Sequence, residues 1–175
     1  MKQLFFVLTS TKSSISKMIT IYTKDEFSHS SIAFDKELQQ MYSFARLNPY
    51  IAIIGGFIHE YIDKGTFKRF NNTKCEILAL DVEDEKYDKL KEIVLNFEKE
   101  KKKYKFNILG LIGAGFNKRV KRKNYYYCTE FIKEVTEQAD INLNLPEITR
   151  PDYFKKTPGM KVIYKGYLRE YKPNI

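Results

Sequence analysis

The chain has 175 residues and a formal net charge of +9, with 43% hydrophobic and 30% charged residues. That mix excludes a disordered chain, and the length fits one domain, residues 1–175, large enough to fold without a disulfide or a metal. Two widely separated cysteines, Cys75 and Cys128, exclude a disulfide-dense scaffold, and no apolar run reaches the roughly 18 residues of a spanning helix.

The N-terminal apolar run, Leu4 to Leu8, is too short for the core of a signal peptide. Lys2–Leu8 is read as a strand, and a cytoplasmic location is expected. Ser13–Tyr22 places Ile15, Met18, Ile19 and Tyr22 on one face of a helix that a serine can cap. His29–Asp35 alternates with period two and predicts a strand. Met41–Arg46 predicts the next strand, with Lys36–Gln39 as the turn. Asn48-Pro49 and Gly55-Gly56 interrupt the pattern, so 47–73 reads as loop with short strands.

Cys75–Val82 alternates as a strand. Asp84–Lys101 spaces Tyr87, Leu90, Ile93, Val94 and Phe97 as a helix, supported by charge pairs such as Glu85–Lys89. Phe106–Phe116 is short, apolar and contains glycines. Thr129–Ala139 carries Phe131, Ile132 and Val135 at helical spacing, and Val162–Tyr171 reads as a closing strand. With few β-α-β crossovers in this order, the expected class is α+β around a mostly antiparallel sheet.

Charge is concentrated. Nine bases and no acid lie between Lys101 and Lys123, and the rest of the chain holds as many acids as bases. A bias toward lysine codons explains abundant lysine but not its local excess. The apolar Phe106–Phe116 stretch inside this segment has two readings. One is a core helix between solvated basic loops. The other is a patch that gathers an anionic substrate or membrane surface.

Cys128 opens an apolar-faced helix. A cysteine in a first helical turn meets unpaired N–H groups and the positive end of the dipole, and both favour the thiolate. The same N–H groups can receive an oxyanion. A buried structural cysteine is the competing reading. His29 starts a strand beside the small residues Ser31 and Ala33, which leaves room around its imidazole, the base a thiol needs. His59 competes for that role, and Cys75 reads as structural. Two Cys and two His, with no close pair, give no metal-binding spacing, and no phosphate loop or other cofactor motif is present.

The run Ser28-His29-Ser30-Ser31-Ile32-Ala33, followed much later by Tyr127-Cys128-Thr129-Glu130-Phe131-Ile132, resembles the permuted branch of the NlpC/P60 papain-like cysteine hydrolases. That branch contains the YiiX-like proteins and the relatives of lecithin:retinol acyltransferase, and its His strand precedes its Cys helix. The resemblance covers about residues 4 to 171. It implies a papain-like α+β fold, an antiparallel sheet or half-barrel against helices. Cys128 would be the nucleophile, His29 the general base, and the Cys128 N–H part of an oxyanion hole. The family usually places a third polar residue on the strand after the His. Met41–Arg46 has no Glu, Asp, Gln or His, so Glu60 and Ser43 are the candidate orienters.

The implied activity is cleavage or transfer at an amide or ester, with a small-molecule, peptide or lipid substrate and no cofactor. Tyr127, Lys118 and Arg119 are the candidate substrate- or surface-binding residues. A non-catalytic or nucleic-acid-binding basic protein is the alternative. Against nucleic acid, the basic run is interrupted by an apolar stretch and carries no RNA-binding signature.

Overall fold

In a computed structural model the chain builds a six-stranded sheet in the order β4-β3-β2-β1-β5-β8, each neighbour antiparallel. Residues 1–13 and 25–173 are described. Apart from Ser13, the helix expected over Ser13–Tyr22 lies outside them. The strands are β1 (Lys2–Ser10), β2 (His29–Ala33), β3 (Met41–Asn48), β4 (Ile51–Glu60), β5 (Lys74–Val82) and, after intervening elements, β8 (Lys161–Tyr167).

β1 is central, paired with β2 and β5. Its continuous apolar run follows from burial on both faces. Leu4, Phe6 and Leu8 enter one core, and Phe5 and Val7 the other. The first core lies under two helices, α2 (Asp84–Lys99) and α4 (Cys128–Gln138). α2 buries Tyr87, Leu90, Val94 and Phe97, and α4 buries Phe131, Ile132 and Val135. Phe44, Phe57, Phe97 and Phe131 meet there, with Phe44 and Phe131 ring centres 5.2 Å apart. The second, smaller core takes Ala33, Met41, Cys75 and Ile77 together with Phe67 of the short helix α1 (Gly65–Arg69).

One expectation fails at residues 47–73. Much of that stretch is β4, a ten-residue strand paired with β3. Its glycines break the sequence alternation because another side chain crosses the strand there. A Cβ on Gly55 would stand 2.8 Å from the Ala45 carbonyl and 2.9 Å from Phe106 Cβ. Phe106 belongs to β6 (Lys105–Phe106), which pairs in parallel with β7 (Tyr125–Tyr126). Between β6 and β7 lies α3 (Ile108–Gly115).

α3 also corrects the core-helix reading. It buries Gly110, Gly113 and Ala114, while Ile108, Leu109 and Ile112 face outward. The class is α+β, an antiparallel sheet packed against few helices, as the papain-like expectation required. No helix of the described residues is long and apolar enough to cross a membrane.

Candidate active site

The register of three strands gathers the site. Side chains alternate along β2, so His29, Ser31 and Ala33 share a face. Ala33 pairs with Met41 of β3, and Met41 with Glu60 of β4. Ser43 and Glu60 therefore lie on the face of His29 and Ser31. The β2–β3 ladder covers only Ile32 and Ala33. Beside His29 and Ser31, the three strands are linked by side-chain hydrogen bonds centred on Glu60.

Glu60 is the centre of this cluster. Its Oε2 lies 3.2 Å from His29 Nε2. It accepts from Ser31 Oγ at 2.5 Å and from Ser43 Oγ at 2.8 Å. Glu60, Ser31 and Ser43 are buried. Burial alone would raise the carboxyl pKa. The His29 charge and three hydrogen bonds outweigh it and hold the group below its ordinary range, so it stays a carboxylate.

Cys128 is the first residue of α4, after Tyr127 in extended conformation. No side chain caps this end from Tyr127. Three residues on, the Glu130 carboxylate faces the Tyr127 N–H, the placing of a capping box's acid. The thiol hydrogen-bonds with the His29 ring and receives the Ser30 N–H. With His29 Nε2 held by Glu60, Nδ1 is the ring nitrogen left to serve the sulfur.

Burial opposes both charges of this pair, and the partners overcome it. His29 is pulled down by burial but raised by Glu60 and by the Cys128 thiolate, to about 10. Cys128 is pushed up by burial, yet His29 and the Ser30 N–H bring it below its ordinary value. Each partner thus favours the charged form of the other, the imidazolium of His29 and the thiolate of Cys128. Cys75, buried in β5 without such partners, is pushed up to about 12 by its burial.

The structure thus brings together Cys128, His29, Glu60 and Ser43. Ser43 contacts Glu60, not the imidazole. Tyr127 is buried beside Cys128, so its ring can serve as a wall and not as an exposed contact. Lys118 and Arg119 sit on the exposed segment after α3, where Arg119 pairs with Glu147. His59 lies on the other face of β4, stacked on Tyr61 with Nε2 2.7 Å from the Gln39 carbonyl oxygen.

Sequence reading missed Ser31, Asn107 and Glu130. Ser31 carried a usable signal, being two residues from His29 on the same strand face. Asn107 is fully buried before α3; its Oδ1 accepts from the Gly110 N–H at 3.0 Å, and its Nδ2 reaches the Val120 carbonyl at 2.9 Å and Glu130 at 3.3 Å. No sequence pattern pairs Asn107 with Glu130.

No family model matches the chain, and no curated protein matches it. A crystal structure of the metalloprotein YiiX from Escherichia coli O157:H7 superposes with a TM-score of 0.55 at 14% identity, over 95% of this chain and 98% of that one. Among the described residues here, no group of three or more His, Cys, Asp and Glu side chains is placed to hold a metal ion. What the two chains share, over nearly their whole lengths, is the fold.

Proposed function

We propose that the protein is a thiol-dependent hydrolase or acyltransferase acting on an amide or ester of a peptide, lipid or small molecule. The observation that carries this reading is the array Cys128–His29–Glu60, in which one ring nitrogen of His29 is held by a buried carboxylate while the ring hydrogen-bonds to a thiol. The motif order, with the His strand before the Cys helix, and the fold shared with YiiX support placing it among the permuted NlpC/P60 hydrolases.

In this reading the Cys128 thiolate attacks the substrate carbonyl carbon, and the C=O electron pair moves to oxygen. The N–H groups of the first turn of α4 face that oxyanion. The His29 imidazolium then gives its proton to the leaving amine or alkoxide as the C–N or C–O bond breaks. Neutral His29 takes a proton from water or an acceptor alcohol or amine. That nucleophile releases the acyl group and restores the thiolate. Glu60 holds the ring in place and stabilises its charge, and Ser31 and Ser43 fix Glu60.

An acyl-enzyme trap tests the proposal. Incubation with a p-nitrophenyl ester should add one acyl group to the Cys128 peptide, removable by hydroxylamine and absent in Cys128→Ala. Acylation at Cys75, or none, would overturn it.

A further inference from the structure

A helix on a folded surface normally turns its large apolar side chains inward. α3 does the reverse. Leu109 is 55% exposed, Ile112 50% and Ile108 38%, with Phe116 just beyond the helix at 63%. The inner side is Gly110, Gly113 and Ala114.

Packing fixes this orientation. A Cβ on Gly113 would stand 2.6 Å from the Lys118 carbonyl oxygen and 2.9 Å from Val120, so no larger residue could face inward there. Asn107 pins the start of the helix through Gly110 and Val120. Phe106, at the root of α3, lies against Gly55 of β4.

The nine bases of 101–123 flank this helix at both ends. Lys103 pairs with Glu100, Arg119 with Glu147 and Lys121 with Glu134. Lys101, Lys102, Lys105, Lys118, Arg122 and Lys123 face no carboxylate at ion-pair distance among the described residues.

An aliphatic helix between two basic clusters matches a surface that is apolar inside and anionic at its rim. A second copy would set these bases against their own equivalents across a twofold interface. A nucleic acid would meet outward aliphatic groups that neither stack nor hydrogen-bond. We propose that α3 and its basic flanks dock the protein on an anionic lipid surface, with Leu109 and Ile112 entering the acyl region and the flanking bases on the headgroups. Asn107 joins this seat to Glu130, whose carboxylate holds the Tyr127 N–H next to Cys128. The docking stands apart from the thiol chemistry and holds whether or not Cys128 turns over.

Co-sedimentation of the full chain with vesicles tests it, using phosphatidylcholine alone and with rising phosphatidylglycerol, at low and high salt. Binding should rise roughly tenfold or more with the anionic lipid and fall with salt. Leu109→Glu/Ile112→Glu, at exposed positions, should abolish it while Cys128 alkylates at the wild-type rate. Equal binding to neutral vesicles, binding indifferent to salt, or wild-type binding by the double variant would overturn the proposal. So would a wild-type dimer that the double variant dissolves without any vesicle binding, or tight binding to single-stranded nucleic acid with none to vesicles.

Discussion

Glu60 reaches His29 from two strands away, its Oε2 3.2 Å from Nε2 across the place where β3 stops pairing with β2. The imidazole is therefore oriented from β4, not from the strand next to its own. Two serines, one on β2 and one on β3, hold the carboxylate in that gap. Ser31 Oγ also lies 3.2 Å from His29 Nε2, while Ser43 acts on the imidazole through Glu60, stabilising the charge that His29 leans on.

The two cysteines should differ sharply in reactivity. At neutral pH iodoacetamide should alkylate Cys128 much faster than Cys75, because one thiol is lowered by His29 and the other is pushed up to about 12 by burial. His29→Ala should slow Cys128 labelling and lower turnover by roughly 10²–10⁴-fold. Mass spectrometry of the two cysteine peptides over time reads the rates. Similar slow labelling of both would remove Cys128 from the nucleophile role.

Alkylation and turnover should separate at high pH. The thiolate appears as pH rises through the lowered Cys128 value, so both rates climb together on the acid side. Above about 10, His29 loses the proton it must give to the leaving group. Turnover should then fall while alkylation, which needs only the thiolate, stays high. Parallel profiles across the whole range would contradict the assignment of His29 as the acid.

Glu60→Gln removes the charge that supports the imidazolium. Thiolate formation should move to higher pH, and labelling at neutral pH should slow. The carboxyl is depressed in the folded state, so its stabilisation is present above its ordinary value of 4.5 and is lost as pH falls through the lower folded value. Wild type should lose stability on acidification through that window, and the variant should lack this loss. Denaturant midpoints across acid pH measure it. Glu60→Ala should cost more, about 3–5 kcal/mol, since it leaves His29 and two serine hydroxyls buried without their partner.

Where the sequence pattern had a local cause, it was readable. Lys2–Leu8, His29–Asp35 and Cys75–Val82 alternate or run apolar because their faces are buried, and β1, β2 and β5 stand there. The spacing of Tyr87, Leu90, Val94 and Phe97 places them on the buried face of α2. β4 was hidden because Gly55 answers to Phe106, a residue far along the chain. The placing of Glu60 against His29 was hidden for a related reason. It depends on the β3–β4 register, which turn chemistry and long-range pairing set together. The outward face of α3 was hidden because an apolar run is the same letters whether it faces in or out. Only the small residues at Gly110, Gly113 and Ala114 pointed to its inner side.

Gly55→Val should test the crossing of β4 by Phe106. The added side chain meets the Ala45 carbonyl and Phe106 at once, so a loss of about 1–3 kcal/mol is expected. Gly65→Ala is the contrast on space, with nothing within 4 Å of its Cβ, though its φ of +53° carries a strain of its own. Thermal unfolding of both variants compares a steric clash with a backbone cost.

The base and the carboxylate are encoded early in the chain, and the nucleophile opens a helix far downstream of them. No stretch of partly made polypeptide ending before α4 contains a usable thiol at this site, and Cys128 in an unstructured chain has nothing to lower its pKa. During synthesis the sulfur therefore lacks the partners that favour its thiolate. Its pKa is lowered only when α4 docks on β2 and β3, so reactivity at this one atom reports the closing of the site.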